Sequence, residues 1–468
     1  MFDISFSHTD LYQISMAQSF FLKGRAETQC VFDYFFRKLP YEGGYAIFCG
    51  LSELLQLLEK IRFTERDLDF LKEKGFDSDF LAYLKDFRFR GTIFACQEGD
   101  VIFPNRPILQ VEAGIAEAQL TETLLLNYLN FQSLIATKAR RIYQVANGKT
   151  LLELGLRRAQ GLGGYHASKA SCIGGFNGTS NVLASMDFDL PVSGSMAHSY
   201  IQSYEDELMA FRDFAETNPN NCVLLLDTYD TLNSGLINAI TVAKEMENRD
   251  KRLLGVRLDS GDLSYLSKVC RQRLNEAGLD YVKIIVSNQI DEYIVKSLEE
   301  QKAPIDIYGV GTSLATAKPD AALDGVYKLS VFDGSPRMKI SETVIKTTLP
   351  DQKQVYRAIE NNGDFAGAEV ITLRNEMPPS RMFHAHEARR QLSLKEYQLQ
   401  PLLHTVMKNG IIDQQVALKT ADIARESLRI FEKLPEDYKR FEYPHDYKIG
   451  ISENLMDKRN TLMHRLKH

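Results

Sequence analysis

Tryptophan is missing from all 468 residues, which decides nothing by itself. Other absences decide more. No apolar run approaches the roughly 18 residues needed to cross a bilayer. The opening MFDISFSHTD carries two acids and no basic stretch of the kind that begins a secretory leader. Both observations predict a cytoplasmic protein without a membrane partner. Basic residues are not in excess, since 56 Lys+Arg face 62 Asp+Glu for a net charge of −6. General nucleic-acid binders carry the opposite balance, so that role is not expected, although a local basic pocket stays open. The six cysteines (Cys30, Cys49, Cys96, Cys172, Cys222 and Cys270) contain no C-x-x-C pair. Scattered in this way they predict reduced, buried thiols rather than a metal site. There is also no G-x-G-x-x-G turn and no G-x-x-x-x-G-K-[ST] loop, so a standard dinucleotide or P-loop site has no support.

What is present is a composition able to build a full core, with 44% apolar and 25% charged residues. At roughly 150 residues per domain the length suggests two or three domains. From Leu51 to Phe87 the pattern is a series of short amphipathic helices, with Thr64 and Ser78 placed as N-caps. Residues 91–112 read as short β runs split by turns, and a long helical pattern follows, with Leu120, Leu124, Tyr128 and Phe131 on one stripe. After Gly148 the rhythm changes. TLLELGL, CVLLLDT, RLLGVRLD, KIIVSN, IDIYGVG and GVYKLSV are short apolar runs, most of them separated by helical stretches. Buried runs alternating with helices predict parallel β/α units, in a barrel or a doubly wound sheet.

Polar residues gather where these runs end. Arg157-Arg158 and the glycines 161, 163 and 164 follow the expected strand 150–157. Asp227-Thr228-Tyr229-Asp230 follow 222–229, Arg257 and Asp259 close 252–259, Ser287-Asn288 close 283–288, and Gly309-Val-Gly311-Thr312 close 305–311. In α/β folds ligands bind at that edge. Alternation along the first run puts Glu153, Gly155 and Arg157 on one face and the leucines on the other, against the covering helices. Two inward arginines, Arg157 and Arg257, call for an anionic ligand, because arginine grips phosphate and carboxylate bidentately. The structural alternative for Arg257 and Asp259 is an ion pair that only closes the fold. The glycine turns could cradle an anion or serve as ordinary β-to-α turns. His198, in VSGSMAHS, sits at a further strand end, where an imidazole can act as base or nucleophile. His384 and His386, in RMFHAHEARR, read as surface residues.

Taken in order, DLYQISMA (10–17), LRRAQG (156–161), GGFNGTSNVLA (174–184), GSMAHS (194–199), LLDTYDT (225–231), GVRLDSGDL (255–263), VSNQID (286–291), YGVGTS (308–313) and PRMKIS (336–341) span most of the chain. A sequence with these segments resembles the nicotinate phosphoribosyltransferases of the type II phosphoribosyltransferase group. The resemblance implies an α/β fold: an irregular parallel β/α barrel with an additional open-faced sandwich domain. It implies an N-terminal domain over 1–125, a catalytic barrel over 126–335, and a segment 336–468 that packs back on the N-terminal domain. It also implies a homodimer with shared active sites. The implied reaction is ligase-type transfer of a phosphoribosyl group from phosphoribosyl pyrophosphate to nicotinate, coupled to ATP hydrolysis and requiring Mg²⁺, in NAD biosynthesis.

Roles follow from the same resemblance. Tyr12 looks like the aromatic that stacks on the pyridine ring across the dimer interface. Arg257 and Ser195 resemble the groups that hold nicotinate. Arg157, Gly309, Gly311 and Thr312 match phosphate-binding positions. His198 matches the histidine phosphorylated by ATP, Asp227 the acid beside it, and Asp259 an acid near the ribose or the metal; no metal ligand is assigned directly. Nicotinamide phosphoribosyltransferase, the nearest alternative, carries an aspartate where this chain has Ser180. A neutral hydroxyl tolerates a substrate carboxylate that an aspartate would repel. A non-catalytic sugar-phosphate-binding barrel would need neither His198 nor Asp227, so their joint presence argues against it.

Overall fold

The computed structural model describes residues 4–341, 347–385, 387 and 389–467. The chain forms two compact units, Ile135–Ala321 and Met1–Leu134 with Ala322–His468. In the first of these, six strands form one sheet: Thr150–Glu153 (β1), Gly178–Thr179 (β2), Val223–Leu225 (β3), Gly255–Leu258 (β4), Lys283–Ser287 (β5) and Ile307–Val310 (β6). Their order is β2-β1-β6-β5-β4-β3, and every pairing is parallel. Helices Gly163–Ile173, Leu236–Glu247, Leu263–Glu276 and Glu292–Glu300 follow β1, β3, β4 and β5. The mixed α/β class with a parallel sheet agrees with the alternation in the sequence.

Local chemistry explains the joints. Asp206, Asp230, Asp262 and Asp291 each accept backbone N–H bonds at the start of the segment that follows them. Such caps satisfy donors that a helix start leaves unpaired. One face of the sheet is filled by Leu151, Leu224, Val256, Leu258, Ile284, Val286, Tyr308 and Val310, all buried. On the other face Val223, Ile285 and Ile307 form a small cluster with Leu152 against it. Each fully buried side chain of this kind contributes about 1.5–3 kcal/mol.

All five expected strands in this unit are present and all are shorter than the apolar runs suggested. They stop at Glu153, Leu225, Leu258, Ser287 and Val310, so the polar residues beyond them lie in turns. Alternation therefore does not govern Arg157. It also misplaces Glu153: Leu152 packs on the face that carries Arg257, and Glu153 lies on the opposite face, bonded to Ser168 of helix Gly163–Ile173. The run GVYKLSV is likewise not part of this sheet. Gly325–Phe332 pairs antiparallel with Gln29–Phe36 in the other unit, and apolar periodicity alone does not distinguish the two settings.

The other unit contains a seven-stranded sheet ordered Ser335–Pro336, Gly325–Phe332, Gln29–Phe36, Leu109–Gly114, Thr92–Ala95, His404–Lys408 and Ile411–Ile412. A six-stranded sheet built mostly from residues after 352 has a core of Ala358, Ala368, Val370, Met382 and Leu394. Arg357 bonds Asp100 at 2.8 Å and Glu369 at 2.9 Å, and Arg106 reaches Glu369 at 2.7 Å. Removing one partner from a buried network of this type costs about 3–5 kcal/mol. The helices Leu51–Lys60, Glu65–Glu73 and Ser78–Lys85 lie where the periodicity puts them. Thr64 forms a capping box with Asp67, whereas the third helix is capped by Asp77 and not by Ser78. All six cysteines are buried thiols outside any disulfide.

Burial pushes the Glu117 carboxyl up to about 7, helped by Glu27 and opposed by backbone N–H donors. Its folded pKa thus lies above its unfolded value near 4.5. The protonated form is the one the fold favours, so the stability it lends is present below about pH 4.5 and is lost as pH rises through 7. The loss amounts to about 3 kcal/mol. Glu117→Gln should therefore gain on the wild type between pH 5 and pH 8 in urea unfolding. A wild-type-to-variant difference that is constant across this range would contradict the assignment.

Candidate active site

The carboxyl ends of β3, β4 and β5 are tied together by short polar contacts. Asp227, two residues beyond β3, accepts the backbone N–H of Asp259 at 3.1 Å and the hydroxyl of Ser260. Its other oxygen, Oδ1, is buried and has no hydrogen-bond partner. Asp259 in turn accepts a short bond from Ser287 at the end of β5, and its carbonyl accepts from Asn288 at 3.0 Å. Asn288 and Gln289 both have positive φ, 70° and 51°. Backbone in that region is strained for non-glycine residues and concentrates at functional sites.

His198 opens the short helix His198–Gln202. Its Nδ1 is 3.1 Å from Thr228 Oγ1, and its Nε2 is 3.9 Å from Asp259 Oδ2. The ring is thus hydrogen-bonded at Nδ1 and faces Asp259 with Nε2, while its side chain stays 40% exposed. The acid facing the imidazole is Asp259, and the group in hydrogen-bond reach is Thr228. Asp227 spends its one bonded oxygen on the Asp259–Ser260 turn. A π-turn over Thr231–Gly235 follows directly, capped by Asp230. Gly235 is required there, because a Cβ would lie 2.0 Å from the Leu226 carbonyl oxygen.

Arg257 projects from β4 beside this cluster. Nη1 donates to Ser195 Oγ at 2.7 Å and Nη2 to the Met196 carbonyl at 3.0 Å, while Nε is buried and has no partner. Burial lowers its pKa, the charges of Asp259 and Asp227 counter that, and Arg157 adds to the lowering. Arg157 and Arg257 therefore lie close enough to feel each other, as two cations gathered at one edge. Arg257 and Asp259 do not form the closed ion pair that would have made them purely structural.

Around β1 the contacts run differently. The Ser180 N–H donates to the Glu153 carbonyl at 2.9 Å. Arg157 lies on the exposed turn after β1. Gly309, within β6, leaves room that a Cβ would take: it would sit 2.5 Å from Leu154 and 3.3 Å from Ser287. Gly311 and Thr312 begin the short helix Thr312–Ala315. Among the sequence-selected residues, Arg157, Ser180, Ser195, His198, Asp227, Arg257, Asp259, Gly309, Gly311 and Thr312 all belong to this one unit. Tyr12 belongs to the other unit, on helix Leu11–Leu22, and is 52% exposed. His384 is half-buried and accepts the Glu387 N–H at 3.0 Å; His386 lies outside the described residues. Thr228, Ser260 and Ser287 were visible as polar strand ends, but nothing in the sequence gave them partners. No group of three or more His, Cys, Asp or Glu side chains among the described residues could hold a metal by itself.

Three family descriptions match successive parts of the chain. The nicotinate phosphoribosyltransferase N-terminal domain matches residues 8–130, the nicotinate phosphoribosyltransferase family residues 150–363, and the C-terminal domain residues 352–459. The chain is 41% identical to the nicotinate phosphoribosyltransferase of Bacillus subtilis, over 98% of this chain and 95% of that one. It is 39% identical to one from Mycobacterium tuberculosis, over 97% and 93%. The crystal structure of human nicotinic acid phosphoribosyltransferase superposes with a TM-score of 0.87 at 30% identity, covering 97% of this chain and 99% of that chain. With three descriptions in register and nearly full-length relatives, the chain belongs to the nicotinate phosphoribosyltransferase family.

Proposed function

We propose that this protein transfers the 5-phosphoribosyl group from phosphoribosyl pyrophosphate to nicotinate, giving nicotinate mononucleotide and pyrophosphate, in NAD biosynthesis. We further propose that ATP hydrolysis drives the transfer through a phosphohistidine at His198. The observation that carries the reading is the placement of Arg257: a half-buried guanidinium with a free Nε, held by Ser195, next to the His198–Asp259 pair.

On this reading Arg257 and Ser195 receive the nicotinate carboxylate, since a guanidinium and a hydroxyl both donate to it. Ser180, being neutral, adds no repulsion. Arg157 and the backbone N–H groups at Gly309, Gly311 and Thr312 hold the phosphates. The ring nitrogen of nicotinate attacks the anomeric carbon as the bond to pyrophosphate breaks. Asp259 and Asp227 face the positive charge that develops on the ribose. Thr228 and Asp259 hold the imidazole, ready to accept the γ-phosphoryl group of ATP, and phosphorylation there would add about −1.5 to −2 charges.

The residues fit Mg²⁺ of the kind that binds mainly through substrate phosphates with one or two carboxylates. The orphaned Asp227 Oδ1, with Asp259 alongside, would hold it. When bound, the ion neutralises charge on the leaving pyrophosphate. The finer fold reading, an irregular barrel with an open-faced sandwich, belongs to the same proposal. So do a homodimer in which Tyr12 stacks on the partner's pyridine ring, and a cytoplasmic location. No helix among the described residues is long and apolar enough to cross a membrane.

Purified protein given nicotinate, phosphoribosyl pyrophosphate, ATP and Mg²⁺ should form nicotinate mononucleotide, followed by chromatography. Absence of product at millimolar substrates would reject the reading. His198→Ala should lose the ATP stimulation while keeping part of the ATP-independent transfer; an equal loss of both would remove the phosphohistidine. Ser180→Asp should lower kcat/KM for nicotinate by about tenfold or more, through like-charge repulsion, and spare nicotinamide. Equal effects on the two substrates would show that Ser180 does not face the carboxylate position.

A further inference from the structure

Glu153 has no place in the reaction just described, yet it is a buried carboxylate on the strand next to the β2 end of the sheet. It is fully buried at the end of β1. One oxygen accepts the Gly155 N–H in a short bond. The other accepts Thr179 Oγ1 at 2.6 Å and Ser168 Oγ at 3.0 Å. Thr179 Oγ1 also accepts the Asn181 N–H at 3.0 Å, and the Glu153 carbonyl accepts the Ser180 N–H at 2.9 Å. Through Gly155 the link extends further. A Cβ on Gly155 would lie 2.4 Å from Ala315 Cβ and 2.8 Å from the Gly311 carbonyl oxygen, so this turn rests directly on the turn after β6.

Three segments are therefore registered on one carboxylate: the turn leading to Arg157, the Thr179–Asn181 loop holding Ser180, and, by contact, the Gly311–Thr312 turn. Burying a carboxylate is costly, and desolvation raises its pKa here. A fold that needed only packing would place an apolar side chain at this position at less cost. Hydroxyl and amide donors all aimed at one acceptor fix geometry, which matters where phosphate and ring must be held within a fraction of an ångström.

We propose that Glu153 is a positioning residue. It couples the phosphate-binding turn after β1 to the Ser180 loop, so that binding of phosphoribosyl pyrophosphate and choice of the pyridine substrate are set by one buried hub. It touches no substrate. The proposal rests on the function proposed above, and the two fail in distinguishable ways. If the wild type makes no mononucleotide, the function is wrong. If the wild type is active and the variants below behave like it, the hub is wrong.

The experiment compares the wild type, Glu153→Gln, Glu153→Ala and Thr179→Val in steady-state assays with nicotinate and with nicotinamide, alongside thermal unfolding. Glu153→Ala removes all three side-chain bonds and should raise KM for phosphoribosyl pyrophosphate by about tenfold or more, with a smaller change in kcat. Glu153→Gln, which keeps the shape and one acceptor oxygen, should restore most of that loss. Thr179→Val is close in shape and removes the hydroxyl that bonds Glu153, Ser168 and the Asn181 N–H, while the backbone bond from Ser180 to the Glu153 carbonyl remains. It should reduce the nicotinate-to-nicotinamide preference several-fold while leaving KM for phosphoribosyl pyrophosphate less affected, and it carries the test if Glu153→Ala does not fold. Variants with KM and substrate preference within twofold of the wild type would overturn the proposal. So would loss of thermal stability with unchanged kinetics, or an equal fall in kcat for both pyridines without change in KM.

Discussion

A half-buried guanidinium without a carboxylate bonded to it is the constraint on which the site depends. Arg257 gives its two terminal nitrogens to a hydroxyl and a carbonyl, neither of which carries charge, and keeps Nε unused. Asp227 and Asp259 are near enough to support its charge electrostatically, yet both have their own bonds to make. The result is a cation that is oriented but not neutralised. In a low-dielectric setting such a group attracts an anion far more strongly than it would in water.

The surrounding carboxylates divide the remaining work by where their oxygens point. Asp227 holds the Asp259–Ser260 turn with one oxygen and leaves the other unpaired. Asp259 is held by Ser287 and faces the His198 imidazole. Glu153, on the opposite face of the sheet, bonds only to protein donors. Three acids of similar chemistry thus differ in setting: one keeps an unpaired oxygen, one faces the imidazole, and one is bonded wholly to the scaffold. The short strands make this possible: each ends before its polar residues, which are free to turn toward one another.

Much of this was legible in the chain. Runs such as CVLLLDT and KIIVSN announce buried parallel strands, and clustering of polar residues at five run ends pointed to the strand edge where Asp227, Asp259 and Ser287 meet. What eluded the sequence has physical causes. Apolar runs overstate strand length, because residues such as Leu226 are buried beyond the strand end as well as within it. Periodicity assigned Glu153 to the wrong face because it treats leucine as helix-facing, whereas Leu152 fills the floor beneath Arg257. Asp227 and Asp259 could not be told apart as partners of His198, since their roles depend on which side chain each turn presents. Thr228, Ser260 and Ser287 are common residues whose importance lies in contacts across 28 to 33 positions of sequence, which no local pattern carries.

The central claim, that an unneutralised Arg257 selects the acid among pyridines, is tested most directly by equilibrium binding. Nicotinate and nicotinamide isotherms should be measured calorimetrically on the wild type and on Arg257→Gln. The account predicts that nicotinate binding weakens by about tenfold or more in the variant, the scale of one charge-assisted bond, while nicotinamide binding changes little. Equal weakening of both, or no loss for nicotinate, would contradict it.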